Sequence, residues 1–314
     1  MTLFDDDTLK TPSHELESPG EPSPAAGRQP DCSGVPSLPS VLAGDPIASA
    51  AVTTVRPKHF LPTDLRVSWS WPHLIVFLFF SFASLLVVQL GFVFYVSAHN
   101  HISAQQVELL FRAKPQFLVG TNLLWYALLF LFLYVTLAVL RGSPFWSSLG
   151  WQRLDTTLTS GKGGPWMYFL SGCGLAIFVA LASSHIKTEH VPIEELFKNR
   201  SGALLLMAMA IFVAPLVEET VFRGYLYPLF AKSLGVFPGI LITGVLFGLM
   251  HGAQLGWTWG LVTLLIFVGV IFTVARAWTG TVVASFLLHL GYNSMIALTS
   301  IIATRGFQHM PPSQ

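Results

Sequence analysis

The strongest constraint on this chain is a succession of long apolar blocks that begins at Trp69 and runs almost to the C-terminus. A helix needs about 20 predominantly apolar residues to cross the hydrocarbon of a bilayer. Seven stretches offer themselves: Pro72–Val96, Phe117–Leu140, Trp166–Ala182, Gly202–Val217, Leu234–Met250, Trp257–Ala275 and Thr281–Ala303. The third, fourth and fifth are short for a full crossing, and an eighth helix or a re-entrant piece fits around Tyr225–Leu234. The expected fold class is therefore all-α, a polytopic transmembrane bundle of about seven spans, six to eight. Charge agrees. Only 11% of the 314 residues are Asp, Glu, Lys or Arg, against about 25% in soluble domains.

Residues 1–68 read differently. Pro, Ser, Gly and acidic groups dominate, from Asp5, Asp6 and Asp7 onward. No hydrophobic periodicity runs through them, so the expectation is a disordered tail. It lacks the basic start and apolar core of a secretory signal. Residues 69–200 then form a first set of transmembrane helices, 201–304 a second set, and 305–314 a C-terminal tail. Trp69, Trp71, Trp166, Trp257 and Trp259 stand where aromatic belts are expected. A cytoplasmic N-terminus puts slightly more Lys and Arg inside, although Lys187, Lys198 and Arg200 go against it. A net charge of +1 offers no footprint for nucleic acid. Cys32 and Cys173 make neither a CxxC motif nor a disulfide framework.

Function is sought in the polar residues that interrupt the apolar spans, because an ionisable group in hydrocarbon costs a few kcal/mol. After Glu195 the chain has two carboxylates, Glu218 and Glu219, side by side at the end of the fourth span. Of ten histidines, His251 and His289 belong to the apolar C-terminal spans, and Asn293 is the one Asn of the last span. Glu219 and Arg223 are four apart and share a helix face, so they can pair. Glu218 is turned about 100° away and is free to face a cavity. Phe247 and His251 are four apart, as are His289 and Asn293. Gly244, Gly248 and Gly252 form a small-residue stripe that admits a neighbouring helix. Each element alone has a bland reading: an interface salt bridge, a packed histidine, a helix–helix amide contact. Their coincidence on three separate spans points to one polar pocket.

In order and spacing, Glu218, Glu219 and Arg223, then Phe247 and His251, then His289 and Asn293 resemble the CPBP family. These are the CAAX prenyl protease and bacteriocin-processing (Abi) membrane proteases. The resemblance covers roughly Gly202 to Ala303. It implies an intramembrane endopeptidase in which Glu218 and His251 act on a water and His289 and Asn293 on the carbonyl oxygen. Glu219, Arg223 and Phe247 then play supporting parts. The residue chemistry is compatible: peptide hydrolysis needs an activated water, a base and oxyanion donors, and Glu218 is the candidate base. If a metal is bound, Glu218, His251 and His289 are its candidate ligands, with zinc the expected ion. There is no HExxH pattern, and a metal-free, glutamate-activated water fits at least as well.

Other intramembrane proteases fit poorly. No Asp follows Asp155, and Ser285 lacks the glycine context of a nucleophilic serine. A proton-coupled transporter using Glu218, His251 and His289 is the competing class. Against it, no internal repeat is visible, and the first three spans are read as carrying no ionisable partner. A non-catalytic membrane scaffold is a third reading. The expected partners are a peptide or lipidated protein substrate and the bilayer. The expected location is a bacterial cytoplasmic membrane or an internal eukaryotic one.

Overall fold

The computed structural model describes residues 62–157, 161–186 and 200–307. Among them the fold is all-α, without strands. In chain order the helices are α1 (Trp71–Asn100), α2 (Ala104–Ala113), α3 (Pro115–Val139), the single turn α4 (Phe145–Ser148), α5 (Pro165–Ser183), α6 (Arg200–Leu234), α7 (Val236–Met250), α8 (Trp259–Thr279) and α9 (Val282–Ala303). Six of them, α1, α3, α5, α6, α8 and α9, are long and apolar enough to cross a membrane. α7 is apolar too but shorter, at 15 residues. Pro72, Pro115 and Pro165 sit in the first turns of α1, α3 and α5. A missing N–H costs nothing there. Large side chains such as Phe79, Phe94, Leu140 and Trp166 are about three-quarters exposed. On helices of this kind they face lipid.

Three expectations need correction. The fourth span does not end at Val217, and no separate piece begins at Tyr225. A single 35-residue helical run, α6, covers both, so Glu218 and Glu219 lie near its middle. Its carboxylates lower the local hydropathy and made one helix look like two. Residues 62–68, assigned to the tail by composition, are packed: Leu65 and Val67 are buried. Asp64 pairs with the buried Arg276 of α8 at 2.9 Å, and Lys232 donates to the Val67 carbonyl. The rest of that tail lies outside the described residues, as do Lys187 and Lys198. At the other end Phe307 is buried against Ala203, Met207 and Ala297, so the C-terminal tail starts later than residue 305.

α6 changes pitch twice. Wide π turns occupy Met209–Val213 and Thr220–Leu226, on either side of the Glu218–Glu219 pair. Each ends two residues before a proline, Pro215 and Pro228. An interior proline lacks a donor and its ring crowds the preceding turn, and a π turn gives the room. One carbonyl then needs another donor. Ala214 N–H bonds back to Met209, so the next bond of that ladder would run from Pro215 to Ala210. Asn293 of α9 supplies it, its Nδ2 donating to Ala210 O at 2.7 Å.

Glycines set the closest approaches. The chain reverses between α6 and α7 at Gly235, whose φ of 101° lies in the region that favours glycine. A Cβ on Gly244 or Gly248 would strike the α8 backbone at Val270 or Ile266, so those two do admit a neighbour. Gly252 instead meets the ring of Trp257. Against α9, a Cβ on Gly172 of α5 would come within 2.0 Å of Leu288 O. Gly172→Ala is expected to force α5 from α9 and to destabilise the protein by about 2 kcal/mol or more, the overpacking range. Gly174→Ala, with nothing within 4 Å, is the neutral control. Chemical denaturation in detergent compares them, and equal stability of the two variants would refute the close approach.

Candidate active site

The site is built around a buried ion pair. Glu219 and Arg223, one turn apart on α6, are both fully buried and meet at 2.9 Å. A guanidinium without water needs all its donors used. Arg223 Nε donates to Thr273 Oγ1 at 3.3 Å and a terminal nitrogen to Gly269 O at 2.8 Å. Its flat face lies over Phe247 at 4.4 Å and near Phe272 at 5.3 Å, an arrangement that stabilises a desolvated cation. Gly269, Thr273 and Phe272 of α8 thus complete the cage. Sequence reasoning missed all three, though Gly269 and Thr273 are themselves one turn apart.

His289 of α9 joins the pair. Its Nδ1 lies 3.0 Å from Glu219 Oε1. A carboxylate held by Arg223 only accepts, so Nδ1 carries the hydrogen. The other ring nitrogen, Nε2, faces Glu218 Oε2 at 3.9 Å. Glu218 is the open member: its side chain is 19% exposed, against none for Glu219. The two adjacent carboxylates therefore have unlike surroundings, one locked and one accessible.

His251 follows the last turn of α7. Its Nδ1 lies 2.8 Å from the Phe247 carbonyl, which makes Nδ1 the donor and leaves Nε2 as the free acceptor. The Phe247 ring contacts both His251 (centroids 4.9 Å apart) and His289 (5.8 Å). Phe247 packs against both imidazoles and covers Arg223. Asn293 stands one turn beyond His289, with its amide on Ala210 O. The structure brings Glu218, Glu219, Arg223 and His289 into direct proximity. His251 reaches the group through Phe247, and Asn293 through α6. Among the described residues, no three His, Cys, Asp or Glu side chains stand close enough together to form a metal-ligand set.

Two further groups come from the early spans, read above as free of ionisable partners. His73, in the first turn of α1, has Nδ1 2.7 Å from the Tyr225 hydroxyl of α6. Tyr126 of α3 lies within electrostatic range of Glu218. His73 was visible in the sequence as a histidine inside an apolar block. Trp151, from the loop after α4, donates to Thr220 Oγ1 at 3.0 Å beside Glu219.

Residues 200–295 match the family model of the type II CAAX prenyl endopeptidase Rce1-like proteins. They form an Rce1-like domain. It begins with α6 and takes in every residue of the ion-pair cage, together with His251, His289 and Asn293. No curated protein and no solved structure matches the chain. The family match supports a membrane endopeptidase of the CAAX type in general, and the six long apolar helices support an integral, multi-pass membrane protein.

Proposed function

We propose that the protein removes the C-terminal residues of a prenylated CAAX-type protein, with a water activated by Glu218 and no metal. The observation that carries this reading is the contrast between two neighbouring carboxylates. Glu219 is sealed against Arg223 and His289, whereas Glu218 is open and can reach a water. Glu218 takes a proton from that water, whose remaining O–H donates a hydrogen bond to His251 Nε2 and is oriented by it. The hydroxide oxygen attacks the scissile carbonyl. The developing oxyanion is met by the second amide hydrogen of Asn293, the first being committed to Ala210. His289 Nε2 is a second donor when the ring carries both protons. Glu218 then returns its proton to the leaving amine as the C–N bond breaks.

Two neighbours support the prenylated substrate. Residues 200–295 match a CAAX prenyl endopeptidase model, and exposed apolar side chains next to the site, such as Phe212 and Met250, offer an isoprenoid an apolar surface. The test uses the full chain in liposomes with a quenched, farnesylated CAAX peptide and its unprenylated twin. The expected result is cleavage of the farnesylated peptide alone, at a rate unchanged by chelator. Chelator-sensitive activity restored by zinc would overturn the metal-free mechanism. Equal cleavage of both peptides would overturn the prenyl requirement.

A further inference from the structure

α3 turns two unlike faces to its surroundings. Phe117, Gly120, Thr121, Leu124 and Leu128 line an apolar groove against α1. The opposite face carries Pro115, Val119, Leu129 and Leu133, all buried in the bundle. At 3.6 residues per turn, Asn122 and Tyr126 fall on this second face, one turn apart. They are its two polar side chains. α3 and α6 run side by side in the same direction. At their starts Gly202 lies under the ring of Pro115, where a Cβ would come within 2.5 Å. Further along both, the His73 ring of α1 lies against Phe132 of α3 and Tyr225 of α6, with centroids 5.7 and 5.6 Å away, so between these two tie points Tyr126 falls level with Glu218. The antiparallel alternative would carry Tyr126 away from that carboxylate.

Both side chains are partly exposed. Among the described residues neither hydrogen-bonds another. Unpaired polar groups on the inward face of a membrane helix are costly and mark a pathway or a binding surface. A peptide drawn into hydrocarbon has the matching need, because each of its backbone N–H and C=O groups must find a partner. The carboxamide of Asn122 presents one donor and one acceptor group, the pattern of a peptide unit, and the Tyr126 phenol donates to a carbonyl.

We propose that Asn122 and Tyr126 hold the main chain of the peptide substrate along the inward face of α3 and deliver its scissile carbonyl to Glu218. This rests on the proteolytic reading and adds a substrate wall outside the Rce1-like domain. The two side chains are positioning residues, so their loss is felt in binding. The full chain in liposomes is compared with Asn122→Leu and Tyr126→Phe, using the farnesylated CAAX peptide. The same peptide is also titrated against each substitution in a Glu218→Gln background. One lost hydrogen bond predicts a rise of up to about tenfold in KM, and in the Kd of the Glu218→Gln protein, with kcat within about twofold. Thermal midpoints should match those of the parent proteins. Unchanged KM and Kd would overturn the wall, as would a fall in kcat alone or a loss of stability that accounts for the defect. If the unsubstituted protein cleaves nothing while Asn122→Leu still weakens binding, the wall stands and the hydrolytic reading falls.

Discussion

Glu218→Gln is expected to lower kcat by about 10³-fold while leaving the fold intact. General bases contribute about 10²–10⁴ to such reactions, and the amide keeps the shape of the side chain while losing its basicity. Stability should hold because Glu218 is partly exposed and its nearest ionic neighbour, His289 Nε2, is 3.9 Å away. The measurement pairs single-turnover cleavage with a denaturation curve. Activity near that of the unsubstituted protein would remove Glu218 from the chemistry. A collapse in stability would instead make it a structural residue like its neighbour.

Arg223→Met should have the opposite profile, a structural loss first. Removing one partner from a buried ion pair typically costs about 3–5 kcal/mol, because the remaining charge is stranded. Here Glu219 would keep one partner, His289 Nδ1 at 3.0 Å, which places the expected loss toward the lower end. The face of Phe247 would also lose its cation. Adding Glu219→Gln to Arg223→Met should recover part of the stability, since the stranded charge is then gone. Denaturation in detergent, with all variants in a Glu218→Gln background, reads this without interference from proteolysis. A single variant as stable as its parent would show that neither the buried pair nor the Arg223 bonds to α8 support the fold.

The pair itself was legible in the sequence, because a spacing of four residues puts Glu219 and Arg223 on one helix face and turns Glu218 away. The same spacing announced the Phe247–His251 contact. The spans were legible because apolar length alone marks them. What stayed hidden depends on information that no local pattern carries. α3 is apolar all round, so no periodicity says which side faces inward, and Asn122 and Tyr126 could not be assigned to a surface. The packing of residues 62–68 depends on contacts distant in sequence, such as Asp64 with Arg276, 212 residues apart, and Val67 with Lys232, 165 apart. The continuity of α6 was masked by Pro215, Pro228 and the carboxylates between them. An interior proline ends or kinks most helices, and the carboxylates lower the apolar signal of a span; here the π turns carry the helix through.

The brevity of α7 bears on supply. Its 15 residues span about 22 Å at 1.5 Å per residue, against a hydrocarbon slab of about 30 Å. Entered from the Gly235 side, the helix gives out before the far boundary. His251 therefore stops at a depth where a full-length helix would still be continuing, and the turn Gly252–Trp257 occupies the remainder. A hydrolase consumes one water in every turnover. Ending the helix early leaves His251 partly exposed, with one ring nitrogen that the Phe247 carbonyl does not claim, where a longer helix would have enclosed it in apolar turns.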